Sequence, residues 1–204
     1  SMLIDADRLD AMCFEMKEPW ENYVERENEI DGTWADYQKR FENYLDGLNQ
    51  NTQENITEKQ KEVNRIRQEI SEECLEKADK PTGIYRLNVP TGGGKTFSSM
   101  RFAIEHNRIH KKNRIVYVIP YTTIIEQNAD VIRRALGDTC DLLEHHSNVL
   151  DDKKPEITES HQRYWDSKVE FYELCTQRWD NDIIFTTMVQ FLNTFYGKST
   201  QDTR

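Results

Sequence analysis

Seven residues, Pro90-Thr91-Gly92-Gly93-Gly94-Lys95-Thr96, constrain this chain more than any other stretch. They follow a β-rich apolar run, GIYRLNV at 83–89, and lead into a segment with helical periodicity from Lys95 to His110. Three consecutive glycines weaken strand and helix alike, so the backbone must turn between the two elements. A strand, a glycine loop and a helix in that order form a cradle for polyphosphate. The loop lets the backbone wrap closely, successive N–H groups face inward, and the helix N-terminus adds partial positive charge. On this reading Thr91, Gly92, Gly93 and Gly94 surround the phosphates of ATP, Lys95 contacts the β and γ phosphates, and the Thr96 hydroxyl ligates Mg²⁺. Lys95 and Thr96 are therefore the expected catalytic pair. The full GxxxxGK[ST] spacing is not met, because Val89 stands where the first glycine would be.

Around this loop the chain alternates short β-rich runs with helical ones, the pattern of βαβ units and a parallel sheet. Strands are expected at 83–89, 114–119 (RIVYVI) and 182–187 (DIIFTT), with a weaker one at 140–145 (CDLLEH). Helices are expected at 95–110, 122–136 and 161–178, and a polar loop at 147–160. Upstream of Lys80 the pattern is helical only. Trp34, Tyr37, Phe41, Tyr44, Leu45 and Leu48 line one face of a helix that Gly47 and the polar stretch after it should end. Thr57 offers a capping box for a following helix that carries Val63, Ile66, Ile70, Cys74 and Leu75 inward. The expected fold class is thus α/β, a parallel-sheet phosphate-loop domain over 81–204 preceded by a helical linker over 19–80.

Charge follows the same division. Residues 1–80 hold 21 acidic against 11 basic side chains, while 81–204 hold 16 of each, so all of the net charge of −10 lies in the first part. That excludes a generally basic nucleic-acid coat, yet leaves the second part neutral enough to approach a polyanion. Hydrophobic residues at 36% are few for a self-sufficient globule, but a 10% aromatic share argues against disorder. Cys13, Cys74, Cys140 and Cys175 lie too far apart for a zinc-ligand spacing and read as reduced thiols. There is no signal sequence and no apolar run of bilayer-spanning length, so a soluble cytoplasmic protein with no membrane partner is expected.

Two further constellations stand just past strands. Ligands of open α/β sheets bind outside the carboxyl ends of the strands, which would put Tyr121, Thr122 and Thr123 of IPYTTIIEQN on the phosphate-loop rim. Hydroxyls and a helix N-terminus there suit a sugar-phosphate backbone, without reading bases. The competing reading makes Thr122 or Thr123 a helix cap, with Glu126 completing a capping box for Thr123. Thr186 and Thr187 of TTMVQF pose the same alternative, a nucleic-acid contact or an N-cap.

Together, RLNVPTGGGKT, VYVIPYTTIIEQNADVIRRALG, LLEHHSN and WDNDIIFTTMVQF resemble the CRISPR-associated helicase-nucleases of type I systems, particularly the type I-C form. The resemblance spans about residues 3–196. It implies an HD nuclease domain that uses a divalent transition metal, followed by two RecA-like motor domains. Such enzymes use ATP to travel along and degrade single-stranded DNA exposed by a guide-RNA surveillance complex. Residues 1–18 would then be the C-terminal remnant of the HD domain, with Asp7 as its closing metal ligand, and 81–204 the N-terminal part of the first RecA-like domain. Thr122, Thr123, Gln127, Thr186 and Thr187 become DNA contacts. The family's acidic DExH box follows TTMVQF and is not reached by Arg204, so the chain is expected to bind nucleotide but hydrolyse it near background. Two other readings of the residues remain: a nucleotide-binding interaction module, or another superfamily 2 motor such as an RNA helicase or restriction translocase.

Several residues carry blander expectations. His145 and His146 lack a third ligand at metal spacing and fit a loop near the DNA path. Arg108, Lys111, Lys112 and Arg114 read as a solvated helix end favourable to the helix dipole. Gln60 and Gln68 lie where related motors place an adenine-reading glutamine, and spacing does not choose between them. Trp165, Phe171, Tyr172 and Leu174 read as core, Trp20 and Trp34 as anchors for the linker helices.

Overall fold

The computed structural model describes residues 30–51, 57–137, 139–146 and 179–196. Asp7, Trp20, the expected helix at 161–178 with its aromatic residues, and the loop at 147–160 lie outside the described residues. In chain order the described elements are α1 (Ile30–Asn51), α2 (Glu58–Glu76), α3 (Lys95–His110), β1 (Ile115–Ile119), α4 (Thr122–Leu136), β2 (Leu142–His145), β3 (Ile183–Thr187) and α5 (Met188–Tyr196). They fall into two compact units, one made of residues 30–115 and 130–140, the other containing 116–129, 141–146 and 179–196.

The first unit is built on α3. Trp34, Tyr37 and Phe41 of α1 are buried, and Phe41 and Tyr44 lie against Phe97 with ring centroids 6.0 Å away. Trp34 also donates its indole N–H to the Lys112 carbonyl at 2.9 Å, which fixes α1 to the turn after α3 and makes Trp34 the expected anchor. Gly47 does not end α1. The helix runs on to Asn51, since a single glycine costs about 1 kcal/mol there and the buried aromatic face outweighs it. Arg101 of α3 binds both carboxylate oxygens of Glu42 on α1, its Nε at 2.7 Å, and reaches Ser71 of α2 at 3.1 Å. This half-buried cluster ties three helices together.

Thr57 and Gln60 form the expected capping box at the start of α2. The expected apolar stripe of that helix is only partly covered. Val63 and Ile66 are exposed, while Ile70, Cys74 and Leu75 are half-buried. What α2 lays along α3 is a strip at i, i+4, i+7 and i+11: Arg67, Ser71, Cys74 and, past the helix end, buried Ala78, whose carbonyl bonds His106 Nδ1 at 2.8 Å. Burial there pushes the Cys74 thiol upward.

Residues 83–89 are not a sheet strand here. Residue 83 is a bend and 84–89 belong to no regular element, with Ile84, Tyr85 and Leu87 exposed. A strand needs neighbours to accept its ladder hydrogen bonds, and the sheet among the described residues has only β1, β3 and β2, not this segment. It is held instead through Tyr85, whose ring packs 5.0 Å from Phe102 and whose hydroxyl donates to the Pro81 carbonyl.

The second unit holds a three-stranded sheet in the order β1-β3-β2. β2 and β3 run parallel, with Leu142 opposite Ile183 and His145 opposite Thr186. Asp141 sets this register by accepting from Asn181 Nδ2 at 2.6 Å and, through its carbonyl, from Ile183 N–H at 3.0 Å. Leu143, Trp179 and Ile184 form a buried cluster covered by Val116 and Phe191. The continuous apolar burial of β3 is what a central parallel strand requires. No described helix is long and apolar enough to cross a membrane.

Candidate phosphate loop and threonine sites

Residues 90–96 form a tight loop. Gly93 N–H donates to the Pro90 carbonyl at 3.1 Å, closing a four-residue turn whose third residue, Gly92, has φ +81°. Gly94, at φ +83°, is the N-cap of α3 and has no side chain to bond the first-turn N–H groups. Both glycines occupy the left-handed region that other residues reach only with strain. Gly93 is needed for a different reason: a Cβ there would lie 2.4 Å from Val89 Cγ1 and 3.1 Å from the Pro90 oxygen. Lys95 opens α3, is exposed, and makes no ion pair with a described residue. Thr96 follows it, half-buried.

The fit to a polyphosphate therefore rests on an uncapped helix N-terminus, an ammonium group beside it, and a backbone that only glycines can follow. One residue of this site had no sequence signal. Arg67, on α2 and 25 positions upstream, donates from Nε to the Gly92 carbonyl at 2.9 Å. Both candidate glutamines are exposed. Gln60 accepts from Thr57 in the capping box, and Gln68 donates to Glu72 at 2.9 Å.

The second unit carries the threonines. α4 begins at Thr122, and the Tyr121 carbonyl accepts Ile125 N–H at 3.3 Å, so Thr122 is the first helical residue and not the cap. The capping box proposed for Thr123 does not form, because Thr123 already lies inside the helix; Glu126 Oε1 lies 3.9 Å from His146 Nε2. Thr122 is half-buried, and Thr123, Gln127 and Tyr121 are exposed. The Thr186–Thr187 pair divides. Thr186 is fully buried with its hydroxyl donated to the His145 carbonyl at 3.0 Å, which removes it from any surface contact. Thr187 accepts Gln190 N–H at 3.2 Å and is the N-cap of α5, so the capping reading holds for it.

His145 accepts the Trp179 indole N–H on Nδ1 at 2.8 Å, and burial followed by the neighbouring His146 pushes its pKa below the usual imidazole value. His146 is buried, with carboxylates of Glu126 and Glu144 both at 3.9 Å, beyond hydrogen-bond range. No cluster of metal-ligating side chains occurs among the described residues. The basic residues at the end of α3 behave as a helix end: Arg108 pairs with Glu105 at 2.7 Å, and Lys111 takes a left-handed C-cap conformation.

A family model described as type III restriction enzyme, res subunit, matches residues 51–203, three quarters of the chain. The chain belongs to this family. It is accordingly an α/β, RecA-like domain of a helicase-like ATPase family, to which ATP and Mg²⁺ are the expected cofactors and nucleic acid the expected partner. The match begins at Asn51, the last residue of α1, so α2 lies within the matched span. No curated protein matches the chain.

Proposed function

We propose that this chain is the nucleotide-binding part of an ATP-driven motor that moves on DNA. The observation that carries the reading is the glycine turn, two positive-φ glycines with the second capping α3, which places Lys95 at an uncapped helix N-terminus. Thr91 and Gly92 to Gly94 line the phosphates, Lys95 holds the terminal ones, and Thr96 presents its hydroxyl to Mg²⁺. Bound ATP with Mg²⁺ supplies the cleavable phosphoanhydride. The residues described here bind and orient it.

Thr122, Thr123 and Gln127 contact the sugar-phosphate backbone of single-stranded DNA, with Thr187 supporting the neighbouring helix end. In the finer form of the proposal the parent is a CRISPR type I helicase-nuclease recruited by a guide-RNA complex. Residues 1–18 then belong to its HD nuclease, Asp7 is a ligand of that domain's transition metal, 19–80 is the linker, and 81–204 belongs to the first motor domain. This form rests on the four quoted sequence strings. The family match favours a second reading, a restriction-type translocase.

Titration with a fluorescent ATP analogue, with and without Mg²⁺, tests the core of the proposal. Binding should strengthen with Mg²⁺ and fall at least about tenfold in Lys95→Ala, the scale of a lost charged contact. Equal binding by the two proteins would refute it. Fluorescence anisotropy with single-stranded and duplex oligonucleotides separates the two motors: salt-sensitive preference for single strands, weakened in Thr122→Ala/Thr123→Ala, supports the first.

A further inference from the structure

Arg67 stands outside every motif in the sequence, yet its side chain lies across the glycine loop. Its Nε donates to the Gly92 carbonyl at 2.9 Å, and its Cγ lies 3.5 Å from where a Cβ on Gly94 would be. It therefore bonds one of the two positive-φ glycines of the loop and lies beside the other. Its own placement is held from behind. Ser71, one turn along α2, is bonded by Arg101, and the Ala78 carbonyl after the helix is bonded by His106, so α2 is fastened along α3 at two further points.

We propose that Arg67 is a positioning residue for the phosphate loop, clamping the Gly92–Gly93 peptide from the upstream helix. The inference deepens the nucleotide-binding reading and rests on it for its effect on ATP. The physical reason is the rigidity of the peptide plane. Fixing the Gly92 oxygen toward α2 fixes the Gly93 N–H on the opposite side, where it closes the turn onto Pro90. Without the clamp a glycine-rich segment samples many conformations, and ordering it would be charged against nucleotide affinity.

The bond is made by Nε, and this permits a clean test. Gln Nε2 and Met Cε occupy the same position along the side chain as Arg Nε. Arg67→Gln therefore keeps the donor and loses the charge, whereas Arg67→Met keeps the shape and loses both. Affinity for the fluorescent ATP analogue should fall about tenfold in Arg67→Met, one charged hydrogen bond's worth. Arg67→Gln should return to within about threefold of the parent, on the scale of a neutral hydrogen bond retained. Amide hydrogen exchange of residues 90–98 without nucleotide should quicken in Arg67→Met and not in Arg67→Gln. Thermal midpoints should stay together, since Arg67 is exposed.

Unchanged affinity and exchange in Arg67→Met would overturn the proposal. So would restoration by Arg67→Lys but not by Arg67→Gln, which would show that charge alone matters. Lys95→Ala keeps the two ideas apart. If it binds nucleotide like the parent, the ATP reading fails while exchange still decides the clamp. If Lys95→Ala loses binding and Arg67→Met does not, the clamp alone fails.

Discussion

Adding a single methyl group at Gly93 tests the loop geometry most directly. In Gly93→Ala the new Cβ would stand 2.4 Å from Val89 Cγ1 and 3.1 Å from the Pro90 oxygen. Carbon atoms in contact prefer about 3.5–4.0 Å, so the first contact is more than an ångström too short. Val89 is β-branched and half-buried, which limits escape by rotation. The Pro90 oxygen is main chain and is itself the acceptor of the Gly93 N–H, so it yields only by opening the turn. Overpacking of this kind costs about 1–3 kcal/mol. If the loop shifts to relieve it, that cost appears as a loss of nucleotide affinity of roughly five- to 150-fold, at 1.4 kcal/mol per factor of ten. The assay is the fluorescent ATP titration, with thermal unfolding in parallel. Val89→Ala/Gly93→Ala removes the shorter contact and should recover most of the loss, leaving the smaller one at Pro90. If Gly93→Ala binds like the parent, or the double variant binds no better than the single, the turn described here is wrong.

Three other outcomes follow from the packing. Glu42→Ala should destabilise the first unit by about 2 kcal/mol, below the 3–5 kcal/mol of a fully buried pair because both side chains keep some solvent contact, with Glu42→Ala/Arg101→Met recovering part of it in urea unfolding. Thr187→Ala should cost about 1 kcal/mol as a lost N-cap. Thr186→Val, which removes the hydroxyl donated to the His145 carbonyl, should cost about 0.5–1.5 kcal/mol. Either variant leaving urea midpoints unchanged would contradict the division of that pair. His145 is held below its ordinary pKa of 6.5, so the unfolded chain binds the proton more readily than the folded one. Stability should therefore be complete above pH 6.5 and decline as pH falls below it. His145→Phe should flatten that part of the profile, and an unflattened profile would refute the assignment.

Much of the second half was legible from local pattern. α3 and α4 begin and end at the expected residues, and the three described strands fall inside the expected runs, because βαβ periodicity and glycine punctuation are written in neighbouring residues. The glycine loop was legible for the same reason. Residues 83–89 were misread as paired because β propensity says only that a segment suits a sheet, not that neighbours are present to accept it. The stripe on α2 was misread in a similar way. Val63 and Ile66 are spaced to be buried, but the helix meets α3 along Arg67, Ser71, Cys74 and Ala78.

By itself, then, the sequence determined the glycine turn, the start of the helix after it and the α/β class, all of which depend on contacts between residues close in the chain. Tertiary structure decided which of two adjacent threonines is core and which is cap, and that Arg67 reaches Gly92. The reason is sequence distance. A hydrogen bond across 25 or 41 positions leaves no periodic trace in either segment, and exists only once helices and strands have packed.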